Sequence, residues 1–359
     1  MNFHVVALPH TQTTKDYNSC AYTQKVRKFC NMMYDLGHTV YLYAGEENEA
    51  RCTELVTCIT KDEQALITSP EFDASLPHWQ IMNNRAIQQI TARMTQGDSL
   101  CLIAGKCQQP IAEAFPTMLD VEYGIGYGGV FANYKVFESY AWMHMVYAQH
   151  SMDAHSVDGK FFDAVIPNYF EVDDFEFREK KDDYFLYLGR CIGRKGVEIA
   201  SQLCQRLGER LIIAGEGPDV PSYGEHVGYV GTAERSELLS GAKALLAPTL
   251  YVEPFGGVAI EAMICGTPVI STDWGAFTET NIHGVTGFRA RSFAEFIDAT
   301  ERVDELDPRK IRDYAVNNYS TEVIAPLYEA YFDQLSTLSW DGWYDLKRPS
   351  MDRYSRYIP

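Results

Sequence analysis

Glu253 to Ile270 reads Glu-Pro-Phe-Gly-Gly-Val-Ala-Ile-Glu-Ala-Met-Ile-Cys-Gly-Thr-Pro-Val-Ile. One carboxylate stands beside a Pro and two Gly, and a second, Glu261, follows after seven intervening residues. The pattern predicts a tight loop that opens a helix. The first turn of a helix leaves backbone N–H groups without partners, here those of Phe255, Gly256 and Gly257. Without bulky side chains, such a start can receive phosphate or sugar oxygens. Eight positions make about 2.2 turns, so Glu261 lies on roughly the same side as the loop. Both acids can then accept hydrogen bonds from the hydroxyls of a polyol. A Gly-rich turn with solvated carboxylates would carry the same letters.

More residues of this kind precede and follow. The apolar run Tyr184–Leu188 leads to Gly189-Arg190, then Lys195-Gly196, then a helical pattern over Val197–Leu207. Two cations at a helix start can clamp a diphosphate, Arg as a planar fork and Lys as a point charge. A second apolar run, Leu211–Ala214, ends in Gly215-Glu216-Gly217-Pro218. After it come His226-Val227-Gly228-Tyr229-Val230-Gly231, Gly275-Ala276-Phe277-Thr278-Glu279 and Gly284-Val285-Thr286-Gly287-Phe288.

In this order, over Tyr184 to Phe288, the segments resemble the signature of retaining glycosyltransferases, most closely glycosyltransferase family 4. The resemblance implies an α/β chain of GT-B fold: two Rossmann-like domains about a deep cleft, with the C-terminal helix crossing back to the first domain. It implies that Arg190 and Lys195 neutralise a donor diphosphate, that Glu253 holds donor-sugar hydroxyls and that Glu261 holds the ribose. Gly189, Gly215, Gly217, Tyr229, Val230, Phe255, Gly256 and Gly257 would complete the donor cradle. Ile166-Pro167-Asn168-Tyr169 resembles the turn that ends the first domain. The domains are therefore expected at 1–168 and 169–334, with the acidic stretch 171–183 as linker. The aromatic tail 335–359 is expected to pack back on the first domain.

Elements alternate as such a fold needs. Phe3–Leu8, Thr39–Tyr43 and Ser99–Ala104 read as strands, and Tyr22–Leu36 and Ile81–Met94 as helices. In the second half Tyr184–Leu188, Arg210–Ala214, Ala244–Ala247 and Thr267–Ser271 repeat the rhythm. This alternation implies parallel sheets covered by helices, with ligands at the carboxyl ends of the strands.

The first half departs from the family pattern. Instead of a Gly-Gly turn after the first strand it has Pro9-His10-Thr11-Gln12-Thr13-Thr14, then Ser19-Cys20-Ala21. His10, Ser19, Gly126, Tyr127 and Lys135 are the acceptor-side candidates. Two readings compete for Glu122–Gly129: a flexible Gly-rich site, and a core strand with its turn.

The chain has 359 residues, enough for two domains, and its 46% apolar content is ordinary for a globular protein. No apolar run reaches the roughly 18 residues that span a bilayer. The first residues read as a strand, not a signal peptide. Nine cysteines without Cys-x-x-Cys spacing imply reduced thiols and a cytoplasmic setting, a host's cytoplasm if the chain is viral. A net charge of −18 argues against broad adhesion to nucleic acid or anionic membrane. Local basic candidates remain at Lys25, Arg27 and Lys28, and at Lys347, Arg348, Arg353 and Arg356.

No Asp-x-Asp motif is present, so no metal and no further cofactor are expected; the donor would be a nucleotide sugar such as a UDP- or GDP-sugar. The implied reaction retains anomeric configuration, with protein cations stabilising the leaving diphosphate. The acceptor is a hydroxyl of a glycan, a lipid-linked sugar or a small molecule. The N-terminal segment also looks similar to glycosyltransferase-like proteins of bacteriophages, some of which glycosylate hydroxymethylated bases in DNA. A GT-B epimerase or a phosphorylase-like enzyme is the other alternative.

Overall fold

The computed structural model describes residues 1–18, 20–67, 72–151 and 154–338. Two compact units divide them. Unit 1 comprises Met1–Glu138, Val146–Tyr169 and residues 321–338; unit 2 comprises Ser139–Met145 and Phe170–Ser320.

Unit 1 carries the strands β1 (Asn2–Val6), β2 (Thr39–Gly45), β3 (Glu54–Ile59), β4 (Ser99–Leu102), β5 (Leu119–Ile125), β6 (Tyr134–Phe137) and β7 (Ala164–Val165). They lie in the order β3-β2-β1-β4-β5-β6-β7, and each pairing is parallel. The order reverses between β1 and β4, the place where open parallel sheets form ligand crevices beyond their carboxyl ends. Phe3, Val5 and Val6 are fully buried, as expected for a central strand covered on both faces.

The helix Ala21–Asp35 buries Val26, Phe29, Cys30 and Met33 on one stripe. Gly37, at φ 84°, follows its end. The helix Thr321–Leu335 lies on the same layer: Tyr328 meets Phe29 at 5.3 Å between ring centroids, and Phe332 meets Phe3 at 4.8 Å. The return to unit 1 thus begins at Thr321, earlier than the expected residue 335, because these fully buried rings are what anchor it. Most of the aromatic tail, and the basic residues Lys347 to Arg356, lie outside the described residues.

One expectation for this unit needs correction, and one pair of competing readings is decided. The first helix presents no basic patch of Lys25, Arg27 and Lys28. Lys25 is buried, ion-paired with buried Glu138, and donates to the Gly124 carbonyl at 2.9 Å. Arg27 is buried too, and Lys28 reaches the Tyr169 carbonyl at 3.4 Å. A charge survives burial when it is paired and hydrogen-bonded, and sequence alone does not show the partners. The Gly-rich segment resolves toward its core reading. β5 runs through Glu122, whose fully buried carboxylate accepts N–H groups of Phe131 at 2.6 Å and Ala132 at 2.9 Å.

Unit 2 carries β8 (Phe185–Leu188), β9 (Leu211–Ala214), β10 (Glu225–Gly228), β11 (Ala244–Ala247), β12 (Val269–Thr272) and β13 (Gly287–Ala290). Their order is β10-β9-β8-β11-β12-β13, again parallel throughout. Its two ends meet: the Phe170 N–H donates to the Tyr319 carbonyl at 2.9 Å. The stretch 171–183 is not a linker. Phe175 is buried, and the Lys181 ammonium donates to the Ser240 carbonyl, the Cys265 carbonyl and Thr267 Oγ1 at 2.9, 3.0 and 2.9 Å. Burial lowers the Lys181 pKa to about 8. An acidic, polar composition hid a strap that the half-buried Lys181 pins to the unit.

Among the described residues no helix is long and apolar enough to cross a membrane, and no group of three or more His, Cys, Asp or Glu could hold a metal ion. All nine cysteines are free, with Cys30, Cys101, Cys191 and Cys265 buried and Cys20 partly buried.

Candidate functional site

The site residues of unit 2 sit where β8, β9 and β11 end. The Gly189 N–H donates to the Ala214 carbonyl at 2.9 Å and the Gly215 N–H to the Gly228 carbonyl at 2.7 Å, so the loops after β8, β9 and β10 are stitched together. Glycine is required at Gly215: φ is +133°, and an added Cβ would lie 2.0 Å from the Gly189 oxygen. Gly217 packs likewise against the Cys191 carbonyl. These glycines therefore bring loop to loop; their immediate neighbours are backbone.

The loop after β8 forms a short turn, Gly193–Lys195, and then the helix Val197–Leu207 from Gly196. The Leu250 N–H donates to the Arg194 carbonyl at 2.9 Å, tying this turn to the loop after β11. Across that tie Lys195 Nζ donates to Glu253 Oε2 at 2.8 Å, with the two side chains 22% and 10% exposed. Tyr251 completes the cluster. Its ring lies 4.4 Å from the Arg194 guanidinium carbon and 5.0 Å from Lys195 Nζ. Burial, then the Glu253 carboxylate, hold the Tyr251 phenol far above its ordinary pKa, while Arg190 and Arg194 pull the other way. Arg190 also opposes the raised pKa of Tyr187, whose hydroxyl donates to the Arg190 carbonyl at 2.8 Å. The Arg190 side chain is thus exposed beside the same group of residues.

Gly256, at φ 78°, caps the helix Gly257–Ile264, with no side-chain acceptor at this cap. Among the described residues, the N–H groups of Phe255, Gly256 and Gly257 have no acceptor. The Phe255 ring itself is core, against Phe170 at 6.3 Å and Tyr319 at 5.8 Å. Glu261 projects from this helix and takes Arg235 Nε at 2.6 Å on Oε2; a second guanidinium nitrogen reaches the same oxygen. Tyr229 is exposed and Val230 buried, and the Tyr229 N–H donates to Glu216 Oε1 at 3.1 Å.

Sequence reasoning missed Arg194, Tyr251 and Arg235. Arg194 and Tyr251 each stand within two residues of a named partner. Arg235 lies on the separate helix Thr232–Gly241, and only the unbalanced charge of Glu261 on an apolar helix hinted at a partner.

The described acceptor-side candidates of unit 1 are spread over two loops and a strand. His10 opens a polar run, His10–Thr14, that is buried throughout. Its ring meets Phe72 at 5.9 Å and Trp79 at 6.4 Å, and burial lowers its pKa to about 4. Tyr127 donates to Glu122 Oε1 at 3.1 Å and packs edge-on to Tyr22 at 5.5 Å. Gly126 follows β5 directly and is partly buried. Lys135, in β6, donates to the Ala132 carbonyl and lowers the pKa of Glu122, Asp120 and Asp163 through its charge, against the larger upward push of burial. Lys135 thus balances buried acids of the sheet. Ser19 lies outside the described residues.

The family described as Glycosyl transferases group 1 matches residues 170–315. An uncharacterized glycosyltransferase of Methanocaldococcus jannaschii is 32% identical over 179 residues, which are 44% of this chain and 41% of that protein. The chain therefore spans well under half the length of this curated relative. Among solved structures, AviGT4, a glycosyltransferase involved in avilamycin A biosynthesis, superposes with a TM-score of 0.67 at 19% identity, covering 93% of this chain and 98% of that one. Anabaena HepE in complex with UDP-glucose gives 0.64 at 14% identity, covering 93% and 100%. With its two parallel Rossmann-like units, the chain has the GT-B fold of these glycosyltransferases.

Proposed function

We propose that the protein is a retaining, metal-independent glycosyltransferase that moves a sugar from a nucleoside-diphosphate donor to a hydroxyl acceptor. The observation that carries this reading is the 2.8 Å contact of Lys195 with Glu253 beside Arg190, Arg194 and Tyr251. A diphosphate needs cations and bare N–H groups; a sugar needs a carboxylate. Unit 2 offers both within one set of loops, in the segment that matches group 1 glycosyltransferases.

In this reading Lys195, Arg190 and the N–H groups of Phe255 to Gly257 stabilise charge that grows on the leaving diphosphate. They act more strongly on the transition state than on the ground state. Glu253 orients donor-sugar hydroxyls and favours positive charge at the anomeric carbon. Glu261 binds the ribose through Oε1, its Oε2 being held by Arg235. The leaving phosphate takes the acceptor's proton, so no protein base is assigned. A UDP- or GDP-sugar is the expected donor; the UDP-glucose complex of a structural neighbour supports the first.

The test is incubation with a panel of UDP-, GDP- and ADP-sugars, following donor hydrolysis and label transfer to a glycan pool, a lipid-linked sugar and hydroxymethylated DNA. Turnover of one donor with retention at the transferred sugar supports the reading. No binding or turnover of any nucleotide sugar overturns it. Transfer to DNA alone would select the phage-type alternative, and interconversion of donor sugars the epimerase.

A further inference from the structure

Ser139–Met145 comes from the first half of the chain but belongs to unit 2. Three bonds tie it there, and a fourth caps its own helix. The Ser139 hydroxyl donates to the Pro254 carbonyl at 2.6 Å. The same oxygen accepts the Trp142 N–H at 3.0 Å, capping the helix Tyr140–Gln149. The other bare donors of that helix start are met by a distant acid: Glu279 Oε2 takes the Tyr140 N–H at 2.9 Å and Oε1 the Ala141 N–H at 2.8 Å. A carboxylate facing a helix N-terminus is favoured both by the charge-assisted bonds and by the helix dipole.

Glu279 stands on the short helix Phe277–Thr280, directly after Gly275-Ala276. The Ala276 N–H donates to the Glu253 carbonyl at 3.0 Å. Gly275, at φ +61°, lets its backbone approach so closely that an added Cβ would lie 2.7 Å from the Glu253 nitrogen. The bonds therefore close a ring: Glu253-Pro254 to Ser139, Tyr140 and Ala141 to Glu279, and Ala276 back to Glu253. The two carbonyls that follow the Glu253 side chain are held in turn, that of Glu253 by the Ala276 N–H and that of Pro254 by the Ser139 hydroxyl, and Glu279 ties the two grips together. Ser139 is 1% exposed and Glu253 8%, so these bonds are sheltered from competing water.

We propose that Ser139 and Glu279 are positioning residues for Glu253, fixing the carboxylate that faces the donor sugar through a clasp on its own backbone. The inference rests on the reading of Glu253 as the sugar-facing acid. Neither residue touches substrate in this role. Ordinary helix capping would account for the Glu279 bonds but not for the Ser139 hydroxyl on the Pro254 carbonyl, nor for the Ala276 link to Glu253.

Glu279→Gln keeps the shape but offers one acceptor where two N–H groups need one each. Ser139→Ala removes the grip on Pro254 and serves if the first variant folds poorly. The measurements are turnover of whichever UDP- or GDP-sugar in the panel is consumed, binding of the matching nucleoside diphosphate, and thermal midpoint. Either variant should lower kcat by about tenfold, the equivalent of about 1.4 kcal/mol. Affinity for UDP or GDP, which lack the sugar, should stay within about twofold, a split that general loosening would not give. In a Glu253→Gln background the same substitutions should cost little more, because residues acting through one carboxylate are not additive. Full additivity with Glu253→Gln, an unchanged kcat, or equal loss of UDP or GDP binding would overturn the inference while leaving the donor site standing. Wild-type protein that consumes no nucleotide sugar overturns both.

Discussion

Lys195 Nζ and Glu253 Oε2 stand 2.8 Å apart, joining the turn after β8 to the loop after β11. In the proposed reading the pair places opposite charge where a donor's diphosphate and sugar would lie side by side. Lys195→Ala removes a cation from a largely shielded position and leaves Glu253 without its counter-charge. Loss of one preorganised stabilising group costs about 10²–10³ in turnover, and kcat on the identified donor should fall by at least tens-fold. An unchanged kcat would remove Lys195 from the diphosphate role. Because Glu253 is largely buried and loses its counter-charge, the variant should also lose some thermal stability, and kcat is therefore compared at a temperature where both proteins are fully folded.

Glu261 and Arg235 make another acid–base contact of unit 2, at 2.6 Å. Both Arg235 nitrogens use the same oxygen, so Oε1 is left for a ligand diol. Glu261→Gln should raise the KM for donor by about tenfold, the cost of weakening a hydrogen bond to a charged group, with a smaller change in kcat. The discriminating measurement is calorimetric binding of UDP against 2′-deoxy-UDP, or of the GDP pair if the donor is a GDP-sugar. Wild type should prefer the ribonucleotide and the variant should lose that preference. Equal discrimination in both would separate Glu261 from the ribose.

Catalysis by protein cations predicts indifference to chelation. Turnover after exhaustive treatment with EDTA should stay within about twofold of the untreated rate, since no Lewis acid would be lost. Loss of activity that returns on adding Mg²⁺ or Mn²⁺ would end the metal-independent reading and shift the diphosphate's neutralisation from Arg190 and Lys195 to an ion.

The loops of unit 2 are legible in sequence because their chemistry is local. Gly215 must be Gly, Lys195 and Glu253 sit beside glycines, and apolar strands punctuate them. Unit 1 hides its logic in distant partners. Glu122 looks like a surface acid in a flexible stretch, but its neighbours in space are N–H groups nine and ten residues later. Lys25 sits on a helix stripe that reads as solvated until Glu138 and the Gly124 carbonyl are seen to receive it. Glu279 was visible as part of a motif, yet its partners at Tyr140 and Ala141 lie more than a hundred residues away. Long-range polar pairing leaves no periodic trace, whereas apolar strands and glycine turns do.

His10 offers a prediction from pH alone. Its ring is buried among Phe72 and Trp79, and its pKa falls from 6.5 to about 4. The folded state therefore holds His10 neutral where an unfolded chain would protonate it. Above pH 6.5 neither state binds the proton and stability is unaffected; as pH falls from 6.5 toward 4 the unfolded state binds more protons and gains. At about 1.4 kcal/mol per unit, the penalty should reach about 3 kcal/mol by pH 4. Denaturant unfolding of wild type and His10→Gln at pH 7 and pH 4 should show the variant losing that much less. Parallel losses would mean that His10 is free to protonate in the folded chain.

Gly215 tests the architecture beneath the donor loops. At φ +133°, with the Gly189 oxygen 2.0 Å from any added Cβ, alanine cannot be accepted without moving one loop off the other. The displaced loop is the one that carries Arg190 and Lys195. Gly215→Ala should therefore weaken nucleoside-diphosphate binding by more than about tenfold, and lower stability by at least the 1–3 kcal/mol typical of a strained backbone position. Gly159→Ala, where the new methyl meets nothing within 4 Å, supplies the control and should change stability by less than about 0.5 kcal/mol. If Gly215→Ala folds and binds as wild type does, the close approach of the two loops is not what positions the cations, and the Lys195–Glu253 contact must be held by the ties to the loop after β11, the Leu250–Arg194 backbone bond and the Tyr251 ring.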